Sequence, residues 1–467
     1  MIDFLQKKLR IVVIVFVTSG LLSGCVLHTV CETPAVAISG DQCDDGAFVN
    51  APAVAEGESH CGPWWNTFCD ESLNRVMTLS LDRNPDVRSI SRRIDQVAAR
   101  LIQSGSTLYP QIDGVSEYSR RWQVDGDVSD DASLGLLLNW EFDIWGRIRS
   151  GQSARANEYD AAVEDWYAAR LFLTSAVAEA WFGLTEQHLQ LELINEQIEL
   201  NETLLSLTKL RFGQGLGGSV DVLQQQQQLE ATVALTPDIA ASIEEFELVL
   251  DSLTGSVAGQ RPRFKTGQRF PHLPAHPKTG VPSDLLKLRP DLRAQQSRIR
   301  ALDHEVGEAI AECLPRISIG GSLLLAGTPS LEALVGDAVA NAIGPIFDAG
   351  NRKAEVARRK SRVCEEVDLY TAAYLNAIRE VETALSKERE ISRRIALQEK
   401  QLATIRKLLQ ESRVRYSRGL NDYLPVLDAL SRSQQLERNL LTGKRERLSA
   451  RIALHRAIGG PLPEPAG

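Results

Sequence analysis

The chain has 467 residues, 43% of them hydrophobic and 24% charged, enough for two or three ordinary domains or for one extended membrane-plus-helix architecture. Its formal net charge of −9 argues against nucleic acid as a partner, because a phosphate backbone needs a basic surface.

The N-terminus comes first. Lys7, Lys8 and Arg10 form a basic region, and Ile11 to Val17 form an apolar run too short to span a bilayer, which reads as a signal peptide. Leu22-Ser23-Gly24-Cys25 follows, with small residues ahead of a cysteine, as lipoprotein processing requires. Residues 1–24 are therefore expected to be removed, and Cys25 to become the lipidated end of an anchored segment, 25–63. The simpler alternative is an ordinary signal peptide in which Cys25 is incidental. Val26 stands where an aspartate would favour retention in the inner membrane, so the outer membrane is the expected destination. No later run of about 18 apolar residues exists, so further membrane contact has to come through β-strands.

Cys31, Cys43, Cys61 and Cys69 cluster early, whereas Cys313 and Cys364 lie far along the chain. In an oxidising compartment the four early ones can form two disulfides, with three possible connectivities, or stay free. Their spacing lacks the C-x₂-C pairs of zinc modules and no histidine pattern accompanies it, so no metal site is expected.

From here the chain is built twice. Asn84-Pro85-Asp86-Val87-Arg88 matches Arg289-Pro290-Asp291-Leu292-Arg293, and Tyr109-Pro110-Gln111-Ile112 matches Leu314-Pro315-Arg316-Ile317. Phe142-Asp143 matches Phe347-Asp348, and Arg211-Phe212-x-x-Gly215-Leu216 matches Arg415-Tyr416-x-x-Gly419-Leu420. Four matches in one order, at an offset of roughly 205 residues, amount to a duplication. The repeats are placed at 64–254 and 282–460, with a linker at 255–281 and a tail at 461–467.

Each half reads helix, two strands, long helix, turn, helix. The first helix is expected to begin after the Pro-Asp pair and to end before Pro110 or Pro315. Leu134, Leu136, Leu138, Trp140, Phe142 and Ile144 alternate with Gly135, Asn139, Glu141 and Asp143. Ile317, Ile319, Leu323 and Leu325 repeat that period of two, and so do Val339, Ile343 and Phe347. Such strands suit a transmembrane barrel or a soluble sandwich. The stretches from about Gly146 to Arg211 and from about Asn351 to Arg418 contain no proline and scarcely a glycine. At 1.5 Å per residue, each predicts a helix on the order of 100 Å long. Val367, Tyr370, Tyr374, Ala377, Val381, Ala384, Ile391, Ile395, Leu402, Ile405 and Leu409 trace a heptad seam, broken at Glu388 and Gln398. Pro237 is expected to cut the return helix of the first half in two.

Two strands per half give four per chain, but a closed membrane barrel needs at least about eight. Unpaired strand edges cannot face lipid, so the chain has to pool strands with copies of itself. A trimer would give twelve strands and a lumen wide enough for a solute.

Several segments resemble the TolC-like outer membrane efflux proteins, in particular the lipoprotein branch serving resistance-nodulation-division pumps. The most specific is Pro282-Ser283-Asp284-Leu285-Leu286-Lys287-Leu288-Arg289-Pro290-Asp291-Leu292-Arg293. Trp140-Glu141-Phe142-Asp143-Ile144-Trp145-Gly146-Arg147, Pro345-Ile346-Phe347-Asp348-Ala349-Gly350 and the duplicated Arg-aromatic-x-x-Gly-Leu turn add to it. The resemblance runs from about Trp64 to Gly460. It implies a mixed α/β membrane fold: a homotrimer whose twelve-stranded β-barrel continues into a long α-helical barrel in the periplasm. It also implies passive export of drugs, metals or other small solutes, delivered by an inner-membrane pump through a periplasmic adaptor (membrane fusion) protein, with no cofactor and no covalent chemistry.

Two sets of site residues follow from the resemblance. Arg211, Gly215, Leu216, Arg415, Gly419 and Leu420 match the turns on which adaptor tips dock, although glycine there also serves the chain reversal itself. Asp428 matches a carboxylate of the gate ring, and Leu424, one turn earlier, is placed to add an apolar constriction. A ring of carboxylates around an axis holds cations; a solvated helix charge is the plainer reading of Asp428. Pro425 departs from one common form of the pattern, in which another aspartate stands there, and Asp221 holds the corresponding place in the first half.

Enzyme motifs are not found: the seven histidines are scattered, and no Gly-x-Ser-x-Gly or Gly-x-x-x-x-Gly-Lys occurs. The run Gln224 to Gln228 reads as a polar helix face. The competing reading is a lipid-anchored periplasmic coiled-coil scaffold or adaptor without a pore, which leaves the amphipathic strands unexplained.

Overall fold

The computed structural model describes residues 28–29, 48–51, 62–122, 128–260, 264–267, 269–273, 276–277, 279–327 and 333–463. Cys25, Cys31, Cys43 and Cys61 lie outside the described residues, and the lipidation and disulfide expectations with them. Cys69, Cys313 and Cys364 are exposed free thiols.

The elements run α1 (Glu71–Arg83), α2 (Pro85–Ser106), β1 (Gln111–Trp122), β2 (Val128–Phe142), α3 (Arg147–Gly213), α4 (Ser219–Val233) and α5 (Thr236–Leu253). Then come α6 (Pro290–Ala311), β3 (Arg316–Gly327), β4 (Ala333–Ile343), α7 (Asn351–Ser417) and α8 (Leu424–Ala457). Short helical turns at Trp64–Phe68, Pro282–Asp284 and Leu285–Leu288 complete the described set. Both α3 and α7 are 67 residues long. Pro237 sits in the first turn of α5, so the return helix of the first half is two pieces. Contrary to expectation, α2 and α6 start at Pro85 and Pro290 themselves rather than after the Pro-Asp pair. Proline lacks the N–H that a first turn leaves unpaired, and its fixed φ suits helix entry. At α2 the Asn84 side chain accepts from the N–H groups of Asp86 and Val87, at 3.0 and 3.1 Å.

The chain divides into two compact units. One comprises Met1–Gln42, Ser91–Asp165 and Asp291–Ala373 and holds the sheet, whose strands pair antiparallel in the order β1-β2-β3-β4. Leu136 stands opposite Gly114 on β1 and Leu323 on β3, and Leu134 opposite Leu325. Because directly paired residues share a face, Ile112, Tyr118, Trp122, Leu134, Leu136, Leu138, Trp140, Phe142, Ile317, Ile319, Leu323 and Leu325 make one apolar face. Val339 and Ile343 do not belong to it. They pair with Gly320 and Arg316, on the opposite face, while Leu334, Gly336, Ala338, Ala340 and Ala342 are the β4 residues that join the apolar side. Phe347 lies beyond the end of β4 and is exposed. The hydrophobic pattern misled here because, after Leu334, the lipid-side residues of β4 are too small to carry it.

The recurring Phe-Asp pair has a structural role in this unit. Asp143 accepts from the N–H groups of Ile148 and Arg149, both at 2.9 Å, and Asp348 from those of Gly350 and Arg352 at 3.0 and 3.1 Å. Each aspartate thereby satisfies orphan donors at the start of a 67-residue helix. The backbone N–H of Arg352 is the main reason the Asp348 carboxyl is held below its usual range. The two halves are joined where Trp145 Nε1 donates to the Pro315 carbonyl at 2.7 Å.

The other unit comprises Cys43–Ile90, Trp166–Pro290 and Tyr374–Gly467. Its main core gathers Trp64, Phe68, Leu73, Met77, Val177, Trp181, Phe182, Leu250 and Ile452. Burying each large aliphatic side chain stabilises by roughly 1.5–3 kcal/mol. Asp70 caps α1 through the N–H groups of Ser72 and Leu73 and also accepts from Trp181 Nε1 at 2.8 Å. Along the seam of α7 with α8, Ile395, Leu402, Ile405, Leu436 and Leu440 pack together. The seam's break at Glu388 is a buried ion pair: Arg451 of α8 donates to both its oxygens, at 2.6 and 3.0 Å. The two side chains are 5% and 2% exposed, and His276 lies 3.6 Å from the same carboxylate.

Candidate functional site

The turn after α3 and the turn after α7 come together at one end of the helical unit. Each long helix ends on a glycine in the left-handed region, Gly215 at φ +73° and Gly419 at φ +71°. The N–H of Leu216 returns to the Arg211 carbonyl at 2.8 Å, and that of Leu420 to the Arg415 carbonyl at 3.0 Å. This pattern closes the orphan carbonyls of a helix end, and only glycine takes that backbone without strain. It leaves Leu216 61% and Leu420 67% exposed. The six residues expected to dock an adaptor are thus gathered in two adjacent, similarly built turns.

The two arginines differ. Arg211 donates to the Leu216 carbonyl of its own turn and to the Ser417 carbonyl of the other, each at 3.2 Å. Its guanidinium stands 4.6 Å from the centre of the Tyr416 ring, within cation–π range. Arg415, its counterpart, is exposed. Arg211 is therefore the cross-link between the turns.

Tyr416 makes a second link. Its hydroxyl donates to Asp221 Oδ2 at 3.0 Å, and Asp221 sits in the first turn of α4, where the helix dipole favours a carboxylate. Burial first, and then the hydrogen bond to Asp221 and that residue's charge, push the Tyr416 hydroxyl up from its ordinary value. Beside it lies Tyr423, with ring centres 5.0 Å apart; its hydroxyl donates to Gln225 Oε1 at 2.5 Å, and burial raises it far above the usual tyrosine range. Tyr423 packs with Leu409, Val426, Ala429 and Leu430, which anchors the start of α8.

Asp428 and Leu424 are one helical turn apart on α8, and both are exposed. The Asp428 carboxylate accepts from Arg432 Nε at 2.9 Å, an i,i+4 pair that offsets part of its charge. Asp221 is instead engaged by the Tyr416 hydroxyl.

Behind the turns, the helices of the first half meet α8 through polar groups. Asn201 of α3 donates to Thr232 of α4 at 2.9 Å, and its side-chain oxygen accepts from Gln434 of α8 at 3.1 Å. Gln225 donates to the Asn201 carbonyl, Gln228 to Gln434, and Arg438 to Gln197. Gln225 is fully buried, so the glutamine run is partly an interior ladder and not only an outward polar face. Nothing in its spacing announced this, because the partners lie on other helices.

A family profile described as "Outer membrane efflux protein" matches residues 76–256 and 281–460, one match in each half. The pyoverdine export outer membrane protein OpmQ of Pseudomonas putida is 25% identical over 85% of this chain and 87% of its own length. The cation efflux system protein CusC of Escherichia coli O6:H1 is 26% identical over 94% of this chain and 96% of its own. Among solved structures, the outer-membrane channel OprN superposes with a TM-score of 0.83 at 25% identity, covering 92% of this chain and 99% of its own. The long helices and four-stranded sheet are the fold of those channels, in which three copies complete the barrel. With the profile matching both repeats, the chain belongs to the outer membrane efflux protein family.

Proposed function

We propose that this outer-membrane efflux channel is the exit duct of a tripartite system, passing small solutes that an inner-membrane resistance-nodulation-division transporter delivers through a periplasmic adaptor. The paired turns at Gly215 and Gly419 are its docking face for the adaptor, with Leu216 and Leu420 as the apolar contacts and Arg415 as the exposed charge. The observation that carries this reading is the bridging of the two turns by Arg211 and Tyr416, which offers an adaptor one preassembled surface.

The same bridge serves as a latch on the gate. While Ile452 stays in the core with Val177 and Trp181, opening parts the first-half helices from the turn-proximal part of α8, where their ladder of amides can exchange its partners for water at modest cost. The apolar seam of α7 with α8 cannot, so those two helices move as one. Asp428 and Leu424, three copies of each, form the constriction, the carboxylates holding cations. Cys25 carries the lipid. Since OpmQ is described by pyoverdine and CusC by cations, one fold serves unlike cargo, and the choice of solute is assigned to the pump. A scaffold without a pore does not account for the four-stranded amphipathic sheet.

Single-channel recording of the purified trimer in planar bilayers tests the duct and latch together. The expected result is a small closed-state conductance that rises when the latch is removed. A protein that forms no channel with or without the latch would overturn the proposal.

A further inference from the structure

His28 belongs to the sheet-bearing unit and is held by a specific seat. Its Nε2 is 2.6 Å from Asp303 Oδ1 on α6, and the two side chains are 23% and 14% exposed. One turn further along α6, Gly307 presents bare backbone to the imidazole. A Cβ built there would meet His28 Cβ and ring Cδ2 at 3.5 and 3.6 Å and Ser150 Oγ of α3 at 3.3 Å. The groove between α6 and α3 is thus floored by a residue without a side chain, walled by Ser150 and closed by a carboxylate. An imidazole fits it, and the chain's own imidazole occupies it.

The position of this seat bears on the lipid. Asp303 is eight residues before the end of α6, about 12 Å along the helix axis, and β3 begins five residues beyond that end. Cys25 precedes His28 by three residues, which limits the distance between them to about 10 Å. A chain fixed at His28 therefore limits how far Cys25 can stray from the strand-proximal half of α6. We propose that the His28–Asp303 contact is a pin that tethers the acylated end of the chain to the strand-proximal half of α6. The proposal rests on reading Cys25 as the lipidated residue. It makes Asp303 and His28 positioning residues, which act on where the anchor sits and not on transport.

The test is cleavage by a glutamate-specific protease at Glu32, four residues beyond the pin, on the full trimer reconstituted in phosphatidylethanolamine–phosphatidylglycerol vesicles. His28→Ala and Asp303→Ala should each speed cleavage about fivefold, the scale of one lost hydrogen bond. The double variant should be no faster than either single one, because both remove the same contact. The exchanged pair, His28→Asp with Asp303→His, should return to within about twofold of the parent rate. Single variants cleaved at the parent rate, or a double variant at the product of the two singles, would overturn the pin. The mass of the released N-terminal fragment reports separately on lipidation: a fragment without acyl chains removes Cys25 as the anchor and leaves the cleavage result standing.

Discussion

Tyr416 of α7 and Asp221 of α4 are separated by 195 residues in sequence and joined by one 3.0 Å hydrogen bond, hydroxyl to carboxylate. That bond ties the turn of the second half to the helix that follows the turn of the first. A hydrogen bond to a charged group contributes about 1.5–3 kcal/mol, and a trimer has three of them. Tyr416→Phe and Asp221→Ala should therefore each raise the mean single-channel conductance in planar bilayers, and the double variant should add little to either. Conductance unchanged in both single variants would remove this pair from the gate.

Asp428 is paired with Arg432 on an exposed helix face, so the two make opposite predictions for cations. Asp428→Ala should raise conductance and abolish block by divalent cations. Arg432→Ala should strengthen that block, because it unmasks the carboxylate. Neither should shift thermal stability measurably, since exposed pairs contribute little. Equal block in all three proteins would leave Asp428 as an ordinary surface charge.

Leu216 and Leu420 are exposed, and substitutions there should leave the fold intact. Leu216→Glu and Leu420→Glu should each weaken binding of the periplasmic adaptor by tenfold or more, as expected when about 1.5–3 kcal/mol of apolar burial is lost. Surface plasmon resonance against the purified adaptor reads this directly. Retained affinity in both would move the docking face elsewhere.

Glu388 and Arg451 are the buried charges in the seam of α7 with α8. Removing one partner strands the other, at a cost of roughly 3–5 kcal/mol. Glu388→Gln should lower the melting temperature of the detergent-solubilised trimer, whereas Glu388→Leu combined with Arg451→Met should recover most of it. A harmless single substitution would show that water relieves the stranded guanidinium.

His276, beside the same pair, is held below its ordinary value, first by burial and then by Arg451, with Glu388 opposing. The folded chain thus prefers the neutral ring, and the unfolded chain takes up the proton first. Its contribution to stability is complete above a pH of about 6.5 and declines as pH falls through the folded value. Melting curves between neutral and mildly acid pH should show a decline in the parent that is smaller in His276→Gln. Parallel curves would exclude a role for this ring.

Much of this architecture was legible in the residues because its signals are local. Proline ended helices, glycine reversed them, and the repeated motifs fixed two similar halves. What escaped was what depends on a partner distant in sequence. Glu388 looked like a flaw in a heptad seam until Arg451 was placed against it, and Asp221, read only as the first-half counterpart of Pro425, gained a partner in Tyr416. The faces of β4 escaped for a different reason. Alternation is read from bulky side chains, and in β4 the valines stand on the side away from lipid while glycine and alanine face it.

The two outer strands of the sheet are unlike. On its apolar side β1 carries Tyr118, Arg120 and Trp122, where β4 carries Gly336, Ala338 and Ala340. Joining β1 to β1 across a twofold would set bulk against bulk and leave both β4 strands unsatisfied. Joining β1 to the β4 of the next subunit consumes both margins. Such head-to-tail contact has a direction, so subunits can add in one rotational sense only, and the assembly is finished when the last margin meets the first.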